Sequence, residues 1–166
     1  MAHPKLNDVR RRYHYRCGYC GVSETDIGGE LTVDHFLPPK SGGDESDDNL
    51  VYCCVRCNQY KGKLSPLENG GDPELRLLHP LLDELAAHLQ EETNGTLTGL
   101  SKTGTHHIHV FRLNRDALLQ HRLEEKLQAA REMYYANLEA ENDELLQENR
   151  ELKLLVAALK RQRDSP

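Results

Sequence analysis

Apolar and polar positions alternate along Leu31-Thr-Val-Asp34-His35-Phe36, and this period of two predicts a strand over about 31–36. The apolar run Leu50-Val-Tyr-Cys53 predicts a second strand. Between them, Pro38, Pro39 and Ser41-Gly42-Gly43 open a loop that continues through Asp44, Glu45, Asp47 and Asp48. Upstream, Asn7 is placed to cap a short basic helix over about 8–15. Downstream, a helix is expected from about 54 to 63, stopping before Pro66 and the breaker Asn69-Gly70-Gly71-Asp72-Pro73.

The next stretch, 73–114, is less regular. Leu77, Leu78, Leu81, Leu82 and Leu85 suggest a helical segment, followed by short strands near 88–90 and 96–100. Asn114-Arg-Asp116 then reads as a helix start, and neither Gly nor Pro follows until Pro166. One unbroken helix there would be about 75 Å long at about 1.5 Å per residue. Its first part carries a stripe of Leu119, Leu123 and Leu127, suited to packing on a globular part. Its last part has a different period. Leu138, Leu145, Leu152 and Leu159 recur every seven residues, each preceded three residues earlier by Tyr135, Asn142, Asn149 or Val156. That is a leucine-zipper register with Leu at d and Asn at two central a positions, which favours a parallel two-stranded homodimer. Leu146 and Leu155 widen the apolar face, so a trimer or a different protein that docks there stays open.

Composition fits small units with a solvated helix. The chain has 166 residues, 37% hydrophobic and only 5% aromatic, too lean for one large core. The pattern divides it into a core over 1–66, an accessory segment over 67–114 that packs on the core, and a long helix over 115–166 with its zipper at about 135–162. No apolar run approaches membrane-spanning length, and Met-Ala-His-Pro-Lys lacks an apolar signal segment, so a cytoplasmic chain without a membrane partner is expected. The net charge of −6 would argue against nucleic acid if it were uniform. It is not uniform. Arg10, Arg11, Arg12 and Arg16 enrich the N-terminal stretch, while Lys61 and Lys63 follow the second cysteine pair, and most of the acid excess lies on the C-terminal helix. Phosphate contacts act within a Debye length of about 8–10 Å, so local sign outweighs the total. These six cations are the candidate nucleic-acid contacts.

Cysteine usage changes the picture most. Cys17-Gly-Tyr-Cys20 and Cys54-Val-Arg-Cys57 are two Cys-x-x-Cys knuckles, the spacing that wraps a tetrahedral Zn²⁺ with four thiolates. A unit this small needs such a staple. Cys53 adjoins the second knuckle, but Cys54 has the right offset to Cys57, which leaves Cys53 as an apolar strand residue. Bracketed by the knuckles are Asp34-His35 and Asn49, and Asn58 follows directly. An imidazole can take a proton near neutral pH, and the carboxylate and amide oxygens suit a hard divalent cation. Phosphodiester hydrolysis needs that combination.

Taken in order, C-x-x-C, LTVDHFLP, a glycine-and-acid loop, DNLV and CVRCNQYKGK resemble the HNH nuclease family over about 16–63. A weaker likeness to the accessory region of small stand-alone bacterial HNH proteins continues through Gly99-Leu100 and Arg112-Leu-Asn-Arg115. The resemblance implies an α+β fold with a zinc-stapled ββα-metal core, a small accessory α/β segment and the coiled-coil helix as an addition. It implies a DNA endonuclease in which His35 is the general base, Asn49 orients His35, and Asp34 and Asn58 hold one Mg²⁺ or Mn²⁺. Asn58 stands where many members carry the final His, and it keeps an oxygen donor. Products would carry a 5′-phosphate and a 3′-hydroxyl, the substrate being double-stranded DNA. A reading from another class is a non-catalytic zinc module joined to a zipper, acting as a DNA-binding or scaffold protein. The set Asp34, His35, Asn49 and Asn58 is what binding alone would not require. His106, His107 and His109 lack a partner carboxylate in the sequence, and a solvent-facing or locally packed role is expected for them.

Overall fold

The computed structural model describes residues 3–66 and 72–163; the expected breaker at Asn69-Gly70-Gly71 lies outside the described residues. The elements run α1 (Leu6–Arg12), α2 (Glu24–Ile27), β1 (Thr32–His35), β2 (Leu50–Cys53), α3 (Val55–Lys61), β3 (Leu89–Glu91), β4 (Leu97–Gly99), α4 (Lys102–Phe111) and α5 (Asp116–Arg163). Two compact units share them. The first spans 1–122 and the second begins at Leu123.

In the first unit, β1 and β2 pair antiparallel with Thr32 opposite Cys53 and His35 opposite Leu50. All four residues of β2 are buried, because α1 and the knuckles cover the sheet. This explains why β2 reads as a continuous apolar run rather than an alternation. The core extends from Val9, Tyr13 and Tyr19 through Leu50 and Tyr52 to Leu77, Phe111, Leu113 and Leu118. The rings of Tyr19 and Phe111 stack at 4.2 Å, tying the first knuckle to the end of α4. The fold is α+β, with small antiparallel sheets, helices and a long C-terminal helix.

Three expectations need correction. The first helix ends at Arg12, not near 15, and its cap position is Lys5 without a side-chain hydrogen bond, so Asn7 is not the cap. Left-handed backbone at His14 (φ 51°) and Tyr15 (φ 62°) turns the chain into the first knuckle instead. The leucines of 77–85 do not form an α-helix. Leu77 and Leu78 are buried, Leu81 and Leu82 are exposed, and only a 3-10 turn forms at Leu85–Ala87. Side chains fix this stretch: Nδ1 of His79 accepts from the amides of Leu81 and Leu82, while Arg76 grips Asp83. Finally, α4 forms where no apolar period announced it. Ser101 caps it by accepting from the Gly104 amide. A Cβ on Gly104 would stand 2.0 Å from the His88 carbonyl oxygen, so only glycine allows this helix to approach that chain.

His107 of α4 is buried, accepts from the Leu78 amide at 3.1 Å and packs on Phe111. Burial pushes its pKa down to about 3. The unfolded chain takes up this proton near about 6.5 and the folded chain does not. The stability that depends on a neutral ring is therefore complete above about 6.5 and declines as pH falls towards 3, by up to about 1.4 kcal/mol per pH unit. Between pH 6.5 and 5.5 the Tm of the wild type should fall more steeply than that of His107→Gln; equal slopes would contradict this assignment.

In the second unit, α5 continues without interruption to Arg163. Every described residue from Leu123 onward is exposed, including the zipper positions Tyr135, Leu138, Asn142, Leu145, Asn149, Leu152, Val156 and Leu159. No helix among the described residues is long and apolar enough to cross a membrane.

Candidate functional site

The four knuckle sulfurs converge, all lying within 4.8 Å of one another. Zn–S bonds of about 2.3 Å place the corners of a tetrahedron about 3.8 Å apart. The Sγ atoms of Cys20 and Cys54 are 3.8 Å apart. Cys54 sits at the N-cap of α3 and accepts from the Cys57 amide, so the helix start turns around the cluster. Hydrogen bonds from Cys17, Cys20 and Cys57 pull the Cys54 thiol far down, while the same shared protons hold Cys57 far up. The set fits a structural zinc. Cys53 is buried outside the cluster and burial raises its thiol pKa, as expected of an apolar strand residue.

Arg115, just before α5, lies against this cluster. Partial burial works against its charge, yet the sulfurs of Cys57 and Cys20 hold its pKa above the usual arginine value. Four thiolates around Zn²⁺ leave two negative charges, and a guanidinium beside them offsets part of that excess.

The Asp34–His35 pair ends β1, with the two side chains in different surroundings. Asp34 is buried, and its Oδ2 accepts from the Tyr19 hydroxyl at 2.7 Å and from Lys61 Nζ at 2.9 Å. Lys61 Nζ also donates to the His35 carbonyl at 2.7 Å. One ammonium thus latches α3 onto both residues at the strand end. Lys61 is only 2% exposed, which overturns its expected role as a phosphate contact. Lys63, two residues on, is exposed.

Asn58 lies one helical turn before Lys61, on the adjoining face of α3. Its half-buried side chain makes no hydrogen bond to the described residues. Asp34 and Asn58 supply the oxygen chemistry a hard divalent ion takes, although Lys61 already shares the carboxylate.

His35 is held from outside the strand. Its Nε2 lies 2.8 Å from Glu45 Oε1. Hydrogen bonds from His35 and then His3 keep the Glu45 pKa below the ordinary carboxylate range, so at neutral pH this group only accepts. His35 therefore carries its proton on Nε2, and the lone pair belongs to Nδ1. His3 Nε2 reaches the other Glu45 oxygen at 3.0 Å while its Nδ1 accepts from the Lys5 amide. His3, His35 and Glu45 have donor atoms close enough to surround a cation. With the His3 proton fixed on Nε2 by that amide, the trio is a hydrogen-bonded set, and a metal would have to displace both imidazole protons.

The side-chain hydrogen bonds of Asn49 go to the loop backbone rather than to the imidazole. Its Oδ1 accepts from the Leu37 amide at 2.7 Å, and its Nδ2 donates to the carbonyls of Leu37 and Asp44. It closes the loop that ends in Glu45. Gly43 makes this closure possible, since a Cβ there would fall 1.7 Å from the Leu37 carbonyl oxygen. Asn49 thus acts on His35 through the loop, and Glu45 makes the contact.

The N-terminal arginines are not free cations either. Arg10 pairs with Glu24 and Glu30, Arg11 with Asp8, and Arg12 with Asp48 and the Asp47 carbonyl. Arg16 donates to the Gly21 carbonyl. These residues bind acidic side chains and backbone carbonyls of the molecule itself. Glu45, Tyr19 and Arg115 were not singled out from the sequence. Glu45 is one acid among several in a loop that read as solvated, and only the fold distinguishes it.

This geometry defines a zinc-stapled strand–strand–helix unit with an Asp–His pair at the strand end. Residues 17–64 match the family model described as HNH endonuclease, so this segment is similar to that family. No curated protein and no solved structure matches the chain.

The folded chain should carry one zinc. Cys57→Ser should lose the metal and melt at much lower temperature, since structural zinc in small domains contributes on the order of 10 kcal/mol. Metal analysis and thermal melting check this, and a stable fold without zinc would refute the clamp.

Proposed function

We propose that the chain is a divalent-metal-dependent endonuclease that hydrolyses DNA phosphodiester bonds. The observation that carries this reading is the Lys61 latch, which holds Asp34 and the His35 backbone against the helix that bears Asn58. Asp34 and Asn58 would hold one Mg²⁺ or Mn²⁺, which when bound neutralises phosphate charge and stabilises the departing oxygen. His35 Nδ1 accepts a proton from water as the water oxygen attacks phosphorus. The P–O3′ bond breaks, the 3′-oxygen takes a proton from solvent water and leaves as a hydroxyl, the 5′-phosphate remains, and the imidazolium returns its proton to solvent. Glu45 Oε1, accepting from Nε2–H, keeps the ring in the tautomer that makes Nδ1 the base and stabilises the imidazolium that forms. Asn49 is a positioning residue through the loop.

The exposed seam of α5 supports a second part of the proposal, a parallel homodimer. Leu138, Leu145, Leu152, Val156 and Leu159 present an apolar stripe that one helix cannot cover. Asn149 now donates to its own Leu145 carbonyl, and in a dimer it would turn to the partner's amide. Glu148 at g meets Lys153 at e across such a seam.

Nicking of supercoiled plasmid tests the chemistry. Wild type should cut with Mg²⁺ and stop with EDTA. His35→Ala should retain zinc and DNA affinity while losing cleavage by at least about a hundredfold, and Glu45→Gln should lose roughly tenfold in kcat. Cutting by His35→Ala at the wild-type rate would sink the assignment, and binding without any cutting would favour the non-catalytic zinc module. For assembly, light scattering should give the mass of two chains, falling to one when residues 135–162 are removed. An unchanged mass after that deletion would count against the zipper.

A further inference from the structure

We propose that DNA beside the cut is held by its phosphodiester backbone on the surface where α3 meets the end of α4, by Lys63, Tyr60, His109 and Arg112. This rests on the nuclease reading for its substrate, but its evidence is separate. Two neighbouring concavities lie there, of about 460 and 610 Å³, and both are lined by His109 and Arg112. Lys63 and Tyr60 line the larger, Asn114 and Arg115 the smaller. No Asp or Glu lines either among the described residues, although acids outnumber bases in the whole chain, 27 to 21.

The cations on this surface differ from those of the N-terminal helix. Arg10, Arg11 and Arg12 are each bound to a carboxylate. Lys63, Arg56 and Arg112 are exposed and form no ion pair with the described residues. The Arg112 guanidinium lies 4.9 Å from the centre of the Tyr60 ring, and Arg115 lies 5.6 Å from the same ring. A guanidinium stacked on an aromatic face keeps its in-plane N–H fork free and loses less entropy when it grips a phosphate bidentately. Arg56 and Tyr60, four residues apart, share one side of α3, and Lys63, just past the end of the helix, lines the larger concavity with Tyr60. Asn58 and Lys61, which serve the strand end, lie elsewhere on the same short helix. The surface and the proposed cleavage centre therefore share α3, through Tyr60 on one side and Lys61 on the other.

Affinity of this kind carries a salt dependence, because each neutralised phosphate releases counterions. The test is binding of a labelled duplex by fluorescence anisotropy, in EDTA so that cleavage plays no part, across a range of salt. Lys63→Gln/Arg112→Gln should weaken binding about tenfold and reduce the slope of log affinity against log salt by roughly two. Lys102→Gln, which removes a cation paired with Glu74 on another part of α4, should leave both unchanged. Zinc content and melting temperature report whether the double variant folds. If it does not, Lys63→Gln alone, at an exposed position, should reduce the slope by about one. An unchanged slope in folded Lys63→Gln or in the double variant overturns the proposal, and so does a loss seen only with Arg11→Gln, which would put the DNA on α1. Weakened binding with no nicking by wild type would remove the nuclease reading and leave this surface standing. Nicking with unchanged binding would do the reverse.

Discussion

Sulfur packing governs this molecule. Four Sγ atoms gathered within 4.8 Å join a turn near the N-terminus to the first residues of α3, and nothing apolar in so short a unit could fix that junction as firmly. From this junction follow the direction of α3, the depth of Lys61 and the position of Asn58. Arg115 extends the arrangement to the accessory segment by setting a guanidinium against the thiolates. The Tyr19–Phe111 stack extends it again, from the first knuckle to α4.

Charge is allocated with equal economy. The buried Asp34–Lys61 pair is satisfied by a tyrosine hydroxyl and a backbone carbonyl, the condition under which a buried ion pair is tolerable. The acidic loop is used up on the molecule's own cations and imidazole rings. Glu45 takes His35 and His3, Asp47 takes Lys5, and Asp48 takes Arg12. Among the described residues, no acid lines the concavities where α3 meets α4. A chain of net charge −6 can thus present a local face suited to a polyanion.

The parts legible in the sequence were those whose meaning is local. Knuckle spacing specified the sulfur cluster, alternation specified β1, and the continuous run Leu50–Cys53 specified β2. The heptad gave a helix through 163. What was hidden depended on neighbours distant in the chain. Lys61 looks like a solvated helix cation until β1 is placed beneath it, and Glu45 looks like its acidic neighbours until Asn49 folds the loop back. The helix α4 was invisible because Thr103, Gly104 and His107 make up its buried face with Phe111, and only the last contributes to an apolar period. The leucines of 77–85 misled in the opposite sense, since His79 and Asp83 make turns there that outweigh helical propensity.

On the proposed reading, a sulfur-held zinc and a separate hard-metal centre share one short helix. Anomalous diffraction from crystals soaked in Mn²⁺ tests that junction most directly. It should give a zinc peak among Cys17, Cys20, Cys54 and Cys57 and a manganese peak bordered by Asp34 and Asn58, with Lys61 drawn back from the carboxylate. Manganese bound at His3 and Glu45, or nowhere near Asn58, would contradict it.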